Sequence, residues 1–124
     1  MKKNLIILAV DDDIINLKLL QSMLKKSDIV KEVLEAKNGS DAIDKLKNRD
    51  DIDLILLDII MPIMGGIDML KIVRADENLK QLPIIVLTTD ETKKAESLDC
   101  GANEFLMKPI RNDDLLKKIQ SVLV

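Results

Sequence analysis

The stretch LIILAVDDD, residues 5–13, places six apolar residues directly before three consecutive aspartates. A continuous apolar run such as Leu5–Val10 is typical of a strand that is buried on both faces of a parallel sheet. Carboxylates about 4 Å apart repel each other by about 4 kcal/mol per pair at an effective dielectric constant of about 20. Three acids at the end of a buried strand therefore predict that either solvent or a positively charged group lies beside them.

Beyond this stretch, short apolar runs alternate with amphipathic segments along the chain. The predicted strands are Leu5–Val10, Val30–Ala36, Leu54–Leu57, Ile84–Leu87 and Glu104–Met107. The predicted helices are Asp13–Lys26, Asn38–Asn48, Ile67–Val73, Asp90–Asp99 and Asp113–Leu123. Strands that alternate with helices in this way predict right-handed crossovers, and hence a doubly wound α/β fold around a five-stranded parallel sheet with five helices.

Two of these helices carry apolar patterns that lead to expectations about packing. The first helix repeats apolar residues at helical spacing, namely Ile15, Leu19, Leu20, Met23 and Leu24. The fourth helix has only Ala95 and Leu98 as an apolar stripe. Because a helix with so little buried area gains little from packing, we expect this element to be among the easiest to shift.

The composition limits the chemistry that the chain can support. Its 124 residues are enough for one domain, and 47% apolar with 33% charged residues is typical of a globular protein. The net charge is −3 and the Lys and Arg residues are scattered, which disfavours direct nucleic-acid binding. One Cys and no His exclude disulfides, Ser–His triads and imidazole metal sites. Any metal must therefore be a hard cation held by oxygen atoms.

The sequence also carries expectations about location. No apolar run approaches the 18 or so residues of a membrane-spanning helix, so no membrane insertion is expected. Two lysines precede the first apolar run, but that run is short for a signal peptide and is followed by acids. We therefore expect a cytoplasmic protein.

Polar side chains collect at the ends of the predicted strands. Asp11 and Asp12 follow the first strand, Asp58 follows the third, Thr88 the fourth and Lys108 the fifth. The carboxyl ends of parallel strands share one edge of the sheet, and ligands bind at that edge in open α/β folds. Carboxylates, a hydroxyl and one ammonium group are therefore expected to converge on a small volume.

The ordered pattern VDDD…LILLDIIMPIMGG…IIVLTT…EFLMKPI closely resembles the receiver domain of two-component response regulators, and in particular the single-domain chemotaxis type. The match covers Leu5 to Val124, so residues 1–124 are interpreted as one receiver domain. The resemblance implies a flavodoxin-like three-layer sandwich with strand order 2-1-3-4-5.

The resemblance also implies a phosphoacceptor and a metal site. Asp58 is the implied phosphoacceptor. Asp11, Asp12, Asp58 and the backbone carbonyl of Ile60 are the implied Mg²⁺ shell, with Mn²⁺ as a possible substitute. Mg²⁺ prefers carboxylate, water and phosphate oxygens in an octahedron, which answers the repulsion among the three acids.

Further roles carried over from the resemblance concern the phosphoryl group and the switch. Thr88 and Lys108 are implied to bind the phosphoryl group, and Lys108 precedes a cis proline at Pro109. Thr88 and Phe105 are the implied switch positions, with the Phe105 ring turning inward on phosphorylation. Asp90, together with Ile60, is implied to tune the lifetime of the phosphorylated state.

The expected partners follow from the same resemblance. The chain has no His, so the phosphoryl donor must be a separate sensor histidine kinase or histidine phosphotransfer protein, or a small acyl or amido phosphate. Phosphorylation is expected to remodel the face built from the fourth helix, the fifth strand and the fifth helix. That face is expected to bind a downstream protein or a second copy of the chain. Apart from weak self-dephosphorylation, no enzymatic activity is expected.

Two alternatives accompany this interpretation. One is a Mg²⁺-dependent phosphohydrolase with an Asp nucleophile, although the haloacid-dehalogenase type needs Asp-x-Asp after its first strand, whereas Ile59 and Ile60 follow Asp58 here. The other is a receiver excised from a hybrid kinase or a transcription factor, because the sequence ends at Val124, where the last helix should end.

Overall fold

Strands and helices alternate along the chain in the computed structural model, which describes residues 4–59, 61 and 64–123. The strands are β1 Leu5–Val10, β2 Val30–Ala36, β3 Leu54–Asp58, β4 Ile84–Thr88 and β5 Glu104–Met107. The helices are α1 Ile14–Lys25, α2 Gly39–Asn48, α3 Gly66–Ala75, α4 Lys94–Asp99 and α5 Asn112–Val122. A 3₁₀ turn, Glu91–Lys93, precedes α4. The predicted elements are confirmed, with boundaries that differ by up to two residues, apart from α4.

The sheet is parallel, with strand order β2-β1-β3-β4-β5, which confirms the expected topology. The order reverses beside β1, because the chain first moves outward to β2 and then returns to β3 on the other side. In the register of the sheet, Val10 pairs with Leu57, Asp58 with Leu87 and Thr88 with Met107. The ends of β1, β3, β4 and β5 therefore lie side by side along one edge.

Two apolar cores cover the two faces of the sheet. Alternate residues of β1 point to opposite faces, so Leu8 packs with residues of α2 and α3, whereas Ile7 packs with residues of α1 and α5. Leu8, Ile7 and Leu57 are fully buried. This arrangement confirms the three-layer sandwich.

Only part of the apolar set at helical spacing in α1 is buried. The buried residues of α1 are Leu17, Leu20 and Leu24, whereas Ile15 and Leu19 are 67% and 57% exposed. The segment is apolar over much of its circumference, and several stripes have helical spacing. Only contact with the sheet selects the stripe that is buried.

The apolar stripe expected for α4 is wrong. Ala95 and Leu98 are exposed, and Ser97 is the buried residue of this helix. The 3₁₀ turn before α4 has about three residues per turn, so it rotates the faces of the residues that follow. The Ser97 hydroxyl donates to the Lys93 carbonyl oxygen at 2.7 Å, which satisfies the buried hydroxyl.

Arg74 connects the end of α3 to the turn that follows α4. Its guanidinium donates to the carbonyl oxygens of Gly101 at 2.9 Å and Leu82 at 2.7 Å, and to Asn103 Oδ1 at 2.9 Å. Burial lowers the pKa of the Arg74 guanidinium. Gly101 has a φ of +110°, which favours glycine, so the turn after α4 is fixed both by its backbone and by this side chain.

The start of α3 lies directly against the end of β3. The Gly66 N–H donates to the Ile59 carbonyl oxygen at 2.8 Å. A Cβ atom at Gly66 would lie 2.5 Å from the Asp58 carbonyl oxygen and 2.6 Å from Ile59 Cα. At the preceding Gly65, the nearest atom to a Cβ would be the Ile59 carbonyl oxygen at 3.5 Å, an ordinary contact.

We expect Gly66→Ala to destabilise the protein by about 1–3 kcal/mol, because the added methyl group meets backbone that cannot move without shifting the end of β3. Gly65→Ala is the control, and it should cost less than about 1 kcal/mol, the loss of a favourable N-cap residue. Urea unfolding of both variants measures the difference. Equal losses would show that α3 can move away from β3 without strain.

Candidate functional site

Three carboxylates meet at the carboxyl edge of the sheet. Asp11 and Asp12 follow β1, and Asp58 ends β3. One carboxylate oxygen from each residue lies within 4.8 Å of the other two. Asp11 and Asp58 are buried, 2% and 9% exposed, whereas Asp12 is exposed. The cluster therefore opens to solvent beside Asp12.

Lys108 supplies a positive charge to this cluster. Its Nζ atom donates to Asp11 Oδ2 at 3.0 Å and lies 3.8 Å from Asp58 Oδ1. The backbone N–H of Lys108 donates to the Thr88 carbonyl oxygen at 2.8 Å, and the Lys108–Pro109 peptide bond is cis, as expected from the sequence. Lys108 therefore provides a positive charge beside Asp11 and Asp58, one of the two forms of compensation, solvent or a cation, that the three acids predict.

Both oxygens of Asp11 have partners in this site. Oδ1 accepts from the Asp13 N–H at 2.9 Å, while Oδ2 accepts from Lys108. A carboxylate that binds a lysine and a backbone amide is held in one orientation and is less available to bind a cation directly. Asp12 has an exposed side chain, so the two neighbouring acids differ in what they can do.

Thr88 is buried at the end of β4, 1% exposed. Its Oγ1 atom accepts a hydrogen bond from the Asp90 N–H at 3.2 Å. Because this contact uses an oxygen lone pair, the hydroxyl proton of Thr88 remains available for donation to another group.

Asp90 folds back on its own turn. Its Oδ1 atom accepts from the Thr92 N–H at 3.0 Å and from the Thr92 hydroxyl, and so caps the 3₁₀ turn. The hydrogen bond from the Thr92 hydroxyl lowers the pKa of Asp90, with the Thr92 N–H as the next cause. The sequence analysis missed this contact, although an Asp two residues before a Thr at the start of a helix is a recognisable signal for such a turn.

Of two further residues expected in the site, Phe105 lies within the described part of the chain and Ile60 does not. Phe105 is buried, 9% exposed, in the core on the α2 and α3 side of the sheet. A rotation that turns its ring further inward can therefore change its exposure little. Ile60, expected to contribute a carbonyl oxygen and to tune the lifetime of the phosphorylated state, lies outside the described residues.

An apolar surface on α1 lies beside the acidic cluster and was not predicted. Ile14, Ile15 and Leu19 are 62%, 67% and 57% exposed. A cavity of about 200 Å³ adjoins it, lined by Asp11, Asn16, Leu19, Leu20, Met23, Leu87, Lys108, Pro109 and Ile110. The helical spacing of Ile15 and Leu19 is visible in the sequence, but the spacing does not indicate that these two residues are exposed.

The chain matches the family model described as the response regulator receiver domain over residues 7–120. The chain belongs to this family. It is 37% identical over 120 residues to the chemotaxis protein CheY1 of Helicobacter pylori, and the match covers 94% of this chain and 95% of CheY1. Receiver domains are the phosphoacceptor switches of two-component systems, and the acidic cluster of this chain is compatible with that function.

Other relatives place a receiver domain inside a much longer protein. The chain is 41% identical over 110 residues to hybrid signal transduction histidine kinase M of Dictyostelium discoideum, and the match covers 84% of this chain but 4% of the kinase. A solved structure, the receiver domain of sensor histidine kinase PA1611 from Pseudomonas aeruginosa PAO1, has a magnesium ion coordinated in its active-site cleft. Its TM-score to this chain is 0.86 at 27% identity, over 97% of this chain and 98% of that one.

Among the described residues, none of the helices has both the length and the apolar character needed to span a membrane.

We expect Lys108→Met to lower the free energy of unfolding by about 1–3 kcal/mol in the absence of divalent cations, because Asp11 would stay buried without its cation. Lys118→Met is the matched control. Lys118 pairs with Glu104 at 2.9 Å, a distance close to the 3.0 Å between Lys108 and Asp11. Both side chains of this control pair are more than a third exposed, 38% and 34%. Its loss should cost less than about 1 kcal/mol. Urea unfolding in a chelator tests both, and equal losses would contradict the role of burial.

Proposed function

We propose that Asp58 is the phosphoacceptor of this receiver domain, and that residues 1–124 form one such domain. The observation that carries the proposal is the position of Asp58, which is buried at the end of β3 between two other carboxylates and a lysine. A carboxylate in this place can react with a phosphoryl group while Lys108 offsets the negative charge of the phosphoryl oxygens. An acid that only caps a helix needs no such surroundings.

The donor set of the acidic cluster fits a hard divalent cation. Three carboxylates that each bring one oxygen to within 4.8 Å of the others provide the hard oxygen ligands that such a cation prefers. In this proposal Asp12 and Asp58 would hold the cation directly, and Asp11, already bound to Lys108, would act through a water molecule. Mg²⁺ is the proposed resident cation, and Mn²⁺ can replace it because both accept carboxylate oxygens. When bound, the cation neutralises charge on the phosphoryl oxygens.

The proposed reaction is a direct phosphoryl transfer. A carboxylate oxygen of Asp58 forms a bond to phosphorus, and the bond from phosphorus to the donor breaks, either to a histidine nitrogen or to an acyl phosphate oxygen. The leaving group keeps the electron pair of that bond. Lys108 offsets negative charge on the phosphoryl oxygens, and the Thr88 hydroxyl donates a hydrogen bond to one of them.

The donor is proposed to be a sensor histidine kinase or a histidine phosphotransfer protein. The exposed apolar face of α1, formed by Ile14, Ile15 and Leu19, supports this partner, because apolar groups of this size beside the site are suited to contact with another protein. Both kinds of donor act on the cytoplasmic side of a cell, and we propose that location for the chain.

The output of the switch is proposed to be the face formed by α4, β5 and α5. Leu98 and Met107 are each 40% exposed on this face, and α4 has little buried surface of its own. Movement of Thr88 toward the phosphoryl group pulls on the turn that leads into α4. A downstream protein or a second copy of the chain then reads the change, and weak self-dephosphorylation resets the switch.

The chain should take up one phosphoryl group from acetyl phosphate or phosphoramidate, and only with Mg²⁺ or Mn²⁺ present. Intact-mass analysis measures the adduct. Asp58→Asn should remain unmodified under the same conditions, because an amide cannot replace the nucleophilic carboxylate. The control is Asp13→Asn, which changes an acid outside the cluster and keeps its capping oxygen. Persistence of the adduct in Asp58→Asn would refute the assignment.

Mg²⁺ should raise the melting temperature of the wild-type protein by a few degrees, since a ligand at ten times its dissociation constant contributes about 1.4 kcal/mol. Asp12→Asn should lose most of this response. Asp13→Asn makes the same chemical change one residue further along and should retain it. Thermal unfolding monitored by circular dichroism, with and without MgCl₂, measures the effect. An equal response in the two variants would remove Asp12 from the metal site.

A further inference from the structure

The turn between β4 and α4 is closed by a small network that begins at Thr88. The Asp90 N–H donates to Thr88 Oγ1 at 3.2 Å. The Asp90 carboxylate accepts from the N–H and from the hydroxyl of Thr92, and the Asp90 carbonyl oxygen accepts from the Lys93 N–H at 3.2 Å. The N–H, the carbonyl oxygen and Oδ1 of Asp90 are therefore all engaged with neighbours in this turn.

We propose that Asp90 is a positioning residue for the Thr88 hydroxyl, and that it acts through its contact with Thr92. The carboxylate closes the turn, and the closed turn directs the Asp90 N–H at Thr88 Oγ1. This inference rests on the proposed function, in which the same hydroxyl is drawn toward a phosphoryl group on Asp58. It differs from the role implied by family resemblance, in which Asp90 tunes the lifetime of the phosphorylated state by controlling access of water.

The network stabilises the resting position of Thr88. When the hydroxyl moves toward Asp58, its oxygen must lengthen or lose the contact with the Asp90 N–H. The capping contacts with Thr92 hold that N–H in place, so they oppose the movement. A ligand shifts an equilibrium only by its difference in affinity for the two states. A weaker cap should therefore raise the affinity for a phosphoryl mimic by stabilising the resting state less.

The chemistry of capping separates this role from an effect of charge. Asn and Asp are about equally good caps, because both offer a side-chain oxygen to a backbone N–H. Asp90→Asn removes the negative charge and keeps that oxygen, whereas Asp90→Ala removes both. Valine has nearly the same shape as threonine, so Thr92→Val removes only the hydroxyl that donates to Asp90.

The test measures the affinity for beryllofluoride in the presence of Mg²⁺ by ¹⁵N NMR titration of the full chain. Asp90→Ala should bind the mimic about 2- to 10-fold more tightly than the wild type, within the range of a lost cap. Thr92→Val should shift affinity in the same direction by a smaller factor, and the double variant should match Asp90→Ala because both changes break one network. Asp90→Asn should stay within about 2-fold of the wild type. Thr89→Val, at an exposed hydroxyl next to the turn, is the control and should also stay within about 2-fold.

Several outcomes would overturn the proposal. If Asp90→Asn changed affinity as much as Asp90→Ala, the charge of Asp90 would be responsible instead of its cap. If Thr92→Val had no effect, or added fully to Asp90→Ala, the two residues would not act together. If Asp90 were only a structural cap, Asp90→Ala would lower the free energy of unfolding in urea and leave the affinity for beryllofluoride unchanged. If the wild type and all variants bound beryllofluoride with the same affinity, the positioning role of Asp90 would be refuted and the proposed function would stand. If the wild type did not bind beryllofluoride, both proposals would be refuted.

Discussion

The contact between Lys108 and the buried carboxylates is the interaction on which the site depends. One oxygen from each of three carboxylates lies within 4.8 Å of the other two, and two of these carboxylates are buried, so a positive charge offsets their repulsion where solvent does not reach. Lys108 provides that charge from the loop after β5, at 3.0 Å from Asp11. Because Lys108 also binds the backbone of Thr88, the same residue joins the acidic cluster to the end of β4.

The two ends of α4 are held by contacts of different strength. At its C-terminal end, Arg74 donates to the Gly101 carbonyl oxygen and to Asn103, and both the side chain and the backbone of that turn are fixed. At its N-terminal end, a 3₁₀ turn with no buried residue leads back to Thr88 through Asp90 and Thr92. The displacement of Thr88 that we propose would therefore act on the end of the helix whose preceding turn has no buried residue.

The two adjacent acids after β1 have different surroundings in the site. Asp11 is buried and bound through both oxygens, whereas Asp12 is exposed and free to approach a cation from the solvent side. Adjacent acids with the same chemistry thus differ in burial and in hydrogen bonding, because consecutive residues at a strand end point in different directions. The close approach of Gly66 to Asp58 fixes the other side of the site, since a larger residue there would meet the backbone.

The sequence by itself determined the fold class, the element order and the group of polar residues at the carboxyl edge. It could do so because continuous apolar runs and strand–helix alternation are strong local signals, and because the carboxyl ends of parallel strands lie at a common edge. The structure alone decided which stripe of α1 is buried, which residue of α4 faces the core and how Asp90 is bonded. Ile15 and Ser97 show the reason: burial depends on the rotation of a helix against the sheet, which is set by packing and by a 3₁₀ turn rather than by local composition. The contact of Asp90 with Thr92 likewise needs the turn geometry, which the residue types permit but do not impose.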